Sequence, residues 1–338
     1  MTSTQKLKGA GGSKSKPISV AVAHLITPFV SAYPWAEGFG TKYANPVTLP
    51  TGSGNNVAFS PNGADLAVAH SNSPYISIYP WAEGFGTKYA NPASLPVSTG
   101  NGVTFSPDSG SVVVAHNTTP FISAYPWGPG FGTKYANPSI LPALVGFKVD
   151  FSPDGNNIAI VFGSSPYFAV YPWGPGFGTK YANPATIPPA ASYGVAFSPS
   201  GNDIVVGHNN SPYISVYPWS SGFGTKYADP SILPPNSGRG VAFSPSGNDV
   251  ALSHLTSPYV SVYPWSSGFG TKYADPSVIP GTTGFDVAFS PDGNNIAIAH
   301  QGTPYLSIYP WGAGGFGTRH ASPATTPTGT GNSVAFSP

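Results

Sequence analysis

The chain has 338 residues, with 42 Gly, 40 Pro, no Cys and only 7% charged residues. Without thiols there is no disulfide and no Cys-based metal site, and without an apolar run of 18 residues there is no signal for a transmembrane helix. The formal net charge is +1, but Lys6, Lys8, Lys14 and Lys16 all stand in the first sixteen positions; residues 17–338 then carry nine Lys and Arg against twelve Asp and Glu, which argues against a nucleic-acid-binding surface.

Residues 1–16 lack the apolar core of a signal peptide. They read as a flexible basic tail, with a docking peptide for an acidic partner as the alternative. From Ile18 onward the chain repeats. Trp35, Trp81, Trp127, Trp173, Trp219, Trp265 and Trp311 each lie 46 residues apart, and each closes the tripeptide Tyr-Pro-Trp. A period of about 40–50 residues is the signature of a propeller or solenoid. The recurrence of Gly and Pro at fixed places in each period marks turns. Such poverty of charge fits a protein that packs in an assembly or meets a neutral ligand such as a sugar; solvation by Ser, Thr and Asn is the plain alternative.

Each repeat spells four short strands. In 285–311, Val287–Phe289 is the first, Ser290-Pro291-Asp292-Gly293 a tight turn, Ile296–Ala299 the second, and Tyr305–Tyr309 the third. The segment Gly-Phe-Gly-Thr-Lys-Tyr-Ala of the other repeats is expected as a fourth strand. The chain starts in a second strand (Ile18–His24) and ends just after a first one (Val334–Phe336). Residues 17–338 are therefore expected to form an all-β, seven-bladed propeller of four-stranded antiparallel blades. The C-terminal strand closes the ring against the three N-terminal strands, leaving no free sheet edge.

These residues carry a resemblance. Val-x-Phe-Ser-Pro-Asp-Gly, a short apolar strand and an aliphatic strand ending in Trp resemble the WD-repeat propeller pattern over 17–338. Tyr-Pro-Trp stands where that family has Trp-Asp, and its Gly-His pair is missing, so the family's buried Asp-His-Ser-Trp network is not carried over. The longer motif Tyr-Pro-Trp-x-x-Gly-Phe-Gly-Thr-Lys-Tyr-Ala-Asn-Pro is similar to repeats of propeller proteins of tailed bacteriophages. That likeness implies a non-enzymatic virion structural or attachment component, located in the virion and bound to neighbouring virion proteins. A lectin-like carbohydrate-binding propeller and an intracellular protein-interaction scaffold are the alternatives.

Two segments differ in every repeat: the connection from fourth to first strand, and the loop between second and third. Both fall on one face, which is expected to bind the partner. Phe147, Lys148, Tyr193, Arg239, Phe285 and Asp286 are the candidate residues there, since Tyr, Phe and Arg are enriched where interfaces form. Lys42, Lys88, Lys134, Lys180, Lys226, Lys272 and Arg319 recur at the outer rim, either as guards of an edge strand or as a cationic belt. His24, His70, His116, His208, His254 and His300 also recur, with Phe162 in the fourth place. At roughly 10 Å between equivalent atoms of adjacent blades they are too far apart to share an ion, and they read as local hydrogen-bonding groups. Asp108, Asp154 and Asp292 belong to turns; Asp203 and Asp249 stand at strand starts. No catalytic triad, carboxylate pair or phosphate loop is legible, and no metal or cofactor is expected.

Overall fold

The computed structural model describes residues 18–338; the basic tail expected over 1–16 lies outside them. These residues form seven antiparallel sheets of three or four strands and no helix. The count fits seven blades. In the sheet that is first in chain order, Gly331–Phe336 pairs antiparallel with Ile18–His24, which pairs with Val30–Trp35. The inner strands of the second to seventh sheets are Gly54–Phe59, Gly100–Phe105, Gly146–Phe151, Ser192–Phe197, Gly238–Phe243 and Gly284–Phe289. Each lies against the inner strands of the sheets before and after it, and Gly331–Phe336 touches both Gly284–Phe289 and Gly54–Phe59.

Local chemistry explains the strands. The middle strands, such as Asn157–Phe162 (Asn-Ile-Ala-Ile-Val-Phe), are continuous apolar runs because both faces are buried. The Ser-Pro-Asp/Asn-Gly turn is tied by its own serine: Ser60 Oγ accepts from Asp65 N at 2.9 Å, and Gly63 N donates to Ser60 O at 2.8 Å. Gly63 takes a φ of 66°, the conformation its position requires. Seven apolar clusters fill the seams between adjacent sheets. One joins Val20, Tyr33 and Trp35 of the first sheet to Ala297, Leu306 and Ile308 of the seventh. Each Trp sits in such a seam: Trp81 meets Phe85 edge-on at 5.1 Å, Phe59 at 5.2 Å and Tyr43 of the preceding sheet at 5.3 Å. Burying a Trp withdraws about 200 Å² from water, worth roughly 5 kcal/mol, so the tryptophans belong to the scaffold.

The fourth strand is largely absent. It survives as two residues in three sheets (Gly130–Phe131, Gly176–Phe177, Gly315–Phe316) and as one bridge in the other four. The cause is the tripeptide itself. Pro34 has no N–H to extend the ladder; Gly40 N donates to Pro34 O at 2.9 Å and Tyr43 N to Ala32 O at 2.9 Å, with irregular chain between.

Polar clamps join the seams. Asp65 accepts from Tyr89 Oη (2.9 Å) and from Trp127 Nε1 of the next sheet (3.0 Å). Asp203 does the same for Tyr227 and Trp265, and Asp249 for Tyr273 and Trp311. This accounts for the acidic residues at strand starts. In the seventh sheet the place falls to Asn295, whose Oδ1 is taken by His320 Nε2 at 3.0 Å, and Trp35 Nε1 is buried without an acceptor.

Candidate functional site

Every inner strand carries a register shift at its start: between Gly146 and Lys148, Ser192 and Gly194, Gly238 and Val241, Gly284 and Asp286, and likewise in the other sheets. A bulge re-aims a side chain at the rim of a sheet. The bulged positions are Asn55, Asn101, Phe147, Tyr193, Arg239, Phe285 and Asn332. They form a ring at the mouth of a cavity of about 280 Å³ lined by all seven inner strands. The variable loops stand on this same face, where Thr51 Oγ1 of one connecting segment donates to Ser73 O of the neighbouring loop at 2.7 Å.

The ring is not symmetric. Asn332 Nδ2 donates to Gly54 O, Asn55 Nδ2 to Gly100 O and Asn101 Nδ2 to Gly146 O, each at 2.8 Å. Amides from three consecutive sheets thus bridge three seams, from the first sheet to the fourth. The next four carry Phe147, Tyr193, Arg239 and Phe285, none of which makes that bridge. Instead the Phe147 and Tyr193 rings meet at 4.8 Å, and the Arg239 guanidinium lies 4.0 Å from the centre of the Tyr193 ring. Arg239 Nε is enclosed and has no acceptor, and no carboxylate among the described residues pairs with this guanidinium.

One level deeper, Lys148 Nζ reaches across the cavity from the fourth sheet to Asp286 Oδ1 of the seventh, at 2.6 Å. The sheets between carry Gly194 and Gly240. A Cβ on Gly240 would stand 2.6 Å from the Asp286 Cα, so the next strand approaches only because glycine is there. Asp286 also accepts from Val334 N at 3.3 Å, and Asn56 bridges Ser333 Oγ (2.9 Å) to Val103 N (2.9 Å). These side chains satisfy inner-edge N–H groups that have no further strand to pair with.

Asp150 follows Lys148 by two residues and therefore shares its side of the strand. Its Oδ2 accepts from Phe197 N at 2.8 Å. Asp150 is half-buried in the cavity wall, and desolvation by the surrounding protein pushes its carboxyl up to about 7 against the pull of the Phe197 and Phe151 N–H groups and the Lys148 charge. A carboxyl that titrates near neutrality can exchange a proton with a reacting group at physiological pH.

The structure thus brings Phe147, Lys148, Tyr193 and Arg239 together with Asp286 at one mouth, and the register places Phe285 on the same ring. It leaves the rim cations elsewhere: Lys88 donates to Asn91 Oδ1 at 2.5 Å and Lys180 to Asn183 Oδ1 at 2.6 Å, Lys42 and Lys134 reach Asn45 and Asn137, and Lys226 and Lys272 pair with Asp229 and Asp275. Burial lowers Lys42, Lys88, Lys134 and Lys180. Arg319 takes the equivalent place in the last repeat. Asp150 was missed in the sequence. Comparing repeats at its own register, where Ala58, Thr104, Ala196, Ala242, Ala288 and Ala335 stand, would have found it.

The repeated histidines lie apart from the mouth. Each Nε2 is 3.0 Å from a serine Oγ seven residues on: His24–Ser31, His70–Ser77, His116–Ser123, His208–Ser215, His254–Ser261 and His300–Ser307. In the fourth sheet both partners change together, to Phe162 and Ala169. Burial pushes all six imidazoles down to about 4. No group of three or more His, Asp or Glu among the described residues could hold a metal ion.

The fold defines a propeller-like, all-β repeat protein with a polar axial cavity. No protein-family model matches the sequence, and no curated protein matches it. Solved structures do. A Bacteroides fragilis protein provisionally named 6-phosphogluconolactonase superposes with a TM-score of 0.74 at 11% identity, over 97% of this chain and 99% of its own. The Pseudomonas aeruginosa periplasmic gluconolactonase does so with a TM-score of 0.70 at 14% identity, over 95% and 99%. A Bacteroides uniformis protein, again provisionally named 6-phosphogluconolactonase, gives 0.72 at 14%, over 95% and 100%. At such identities the likeness establishes fold. It also corrects the expectation of a non-enzymatic virion component, because these neighbours are named as enzymes; the link to phage propellers finds no support in them, and the lectin and scaffold alternatives are not favoured. Asp150 and Asp286 are the single acidic residues at their registers among the repeats.

Proposed function

We propose that the chain is a hydrolase of small cyclic esters, acting where the open half of the mouth leads to Lys148 and Asp150. The observation that carries this reading is that Lys148 and Asp150 stand two residues apart on one strand in the cavity wall, with Lys148 held by Asp286 at 2.6 Å and the Asp150 carboxyl raised by burial. The lactonase names of the structural neighbours support it. In this reading the seven sheets are seven blades of one ring, closed where Gly331–Phe336 joins Ile18–His24. That closure holds the fourth and seventh sheets at the separation Lys148 spans.

The reaction needs little machinery. Ionised Asp150 takes a proton from water as its oxygen attacks the lactone carbonyl carbon. The Lys148 ammonium stabilises the oxyanion that forms. The ring C–O bond then breaks, and the proton held on Asp150 passes to the departing alkoxide, giving an open hydroxy acid. Asp286 holds Lys148 over the cavity and keeps its charge from settling fully on Asp150.

The test is acid release from a panel of γ- and δ-lactones followed in a pH-stat. Wild type is expected to open at least one of them, with Asp150→Asn lowering kcat about 10²–10⁴-fold while the protein stays folded. No turnover above background across the panel, or an Asp150→Asn variant as active as wild type, overturns the proposal.

A further inference from the structure

We infer that the open half of the mouth binds a carboxylate borne on an apolar or aromatic body, with Arg239 as the residue that takes the carboxylate. The site is the one assigned above to ester hydrolysis, and the inference rests on that assignment for its biological meaning, though not for the binding itself.

Arg239 is prepared for an anion it does not yet have. Its guanidinium is held flat by the Tyr193 ring at 4.0 Å, and Tyr193 is held in turn by Phe147 at 4.8 Å. Phe147 is itself packed against the apolar cluster around Val161, Phe168 and Val195. Three planar groups from three successive sheets thus fix the fork before any ligand arrives. Stacking of this kind is open to arginine and not to lysine. A guanidinium with an enclosed, unaccepted Nε and no carboxylate within ion-pairing reach bears a desolvation cost. A carboxylate on its outward donors offsets that cost through charge-assisted bonds.

The surroundings select the rest of the ligand. A polyol needs several free donors and acceptors around it. At this mouth the amides of Asn55, Asn101 and Asn332 are committed to backbone carbonyls, and Asn101 also donates to Asn117 Oδ1 at 2.6 Å. What flanks Arg239 is Tyr193 on one side and, by register, Phe285 on the other. Charge narrows the anion further. Lys148 is already neutralised by Asp286, so Arg239 is the one positive charge left to a ligand, and the Asp150 carboxyl lies below it. That balance suits a monoanion and opposes a phosphate dianion.

The experiment is titration calorimetry on the whole chain at pH 7 with three probes: phenylacetate, gluconate and inorganic phosphate. Phenylacetate is expected to bind at least tenfold more tightly than either other probe. Arg239→Met and Arg239→Lys should each weaken it at least tenfold, and Tyr193→Ala should do so less. An unchanged near-ultraviolet circular dichroism spectrum checks that each variant is folded. Equal binding of gluconate or phosphate, or full affinity in folded Arg239→Met, overturns the inference. Phenylacetate binding through Arg239 in a protein that opens no lactone leaves this inference standing and removes the hydrolase reading. Turnover of sugar lactones without phenylacetate binding does the reverse.

Discussion

Acid should unfold this protein steeply, and the six buried histidines set the slope. Each is fully enclosed and pushed down to about 4, whereas an unfolded histidine titrates near 6.5. A depressed histidine favours the folded state above the unfolded value, and that contribution is lost as pH falls from 6.5 through 4. At pH 5 an unfolded imidazole is almost wholly protonated and a folded one mostly neutral, so six of them take up about five protons on unfolding. Asp150 works in the opposite sense. Raised to about 7, it holds a proton in the folded state that the unfolded chain releases down to about pH 4, which cancels about one. The net uptake of about four protons gives a slope of about 6 kcal/mol per pH unit. Total stabilities of about 5–15 kcal/mol are exhausted within two units at that rate. Urea unfolding at half-unit steps from pH 7.5 to 4.5 measures the slope directly. His254→Phe with Ser261→Ala copies the fourth sheet's own Phe162 and Ala169, and should lower the uptake by about one proton. Stability that changes by less than about 1 kcal/mol between pH 7 and 5 would refute the reasoning, as would folded-state histidines that titrate near 6.5 by NMR.

Two further outcomes follow from particular contacts. Asn295→Asp gives the seventh sheet the second acceptor that Asp65, Asp203 and Asp249 supply elsewhere; Trp35 Nε1 gains its missing partner, and thermal unfolding should rise by about 1 kcal/mol in stability, or about 2 °C. Asp286→Asn releases Lys148 toward Asp150, and the Asp150 carboxyl should then ionise about one pH unit lower, read by carboxyl-carbon NMR and, if lactones are turned over, by the acidic limb of the pH–rate profile.

Much of the scaffold could be read from the residues, for physical reasons. Trp every 46 residues and the turn opened by Ser-Pro are forced by packing and by backbone geometry, so they repeat. The fourth strand was misjudged because its composition looks extended, while Pro34 and its equivalents remove the donors a ladder needs. The mouth was half legible. Phe147, Lys148, Tyr193, Arg239, Phe285 and Asp286 stood out as breaks in the repeat, but they read as loop residues. Only the bulge at each inner strand turns them to one axis, and a bulge leaves no mark in hydrophobic periodicity. Asp150 stayed hidden because Val-Asp-Phe scans as an ordinary alternating strand. The joint loss of His and Ser at Phe162 and Ala169 was visible as a pair, but only the 3.0 Å contact in the other sheets gives it meaning.

The bulge that opens every inner strand has a consequence for how such a chain changes over generations. It seats one residue per repeat outside the ladder pairing, so a single codon can exchange that residue while the pairing around it stays intact. Seven such seats face one mouth. Three hold the asparagines that tie neighbouring sheets, and four have been given over to side chains that tie nothing in that way. Duplication supplies identical copies, and point substitution at these seats is enough to turn a ring of equals into a site with a direction.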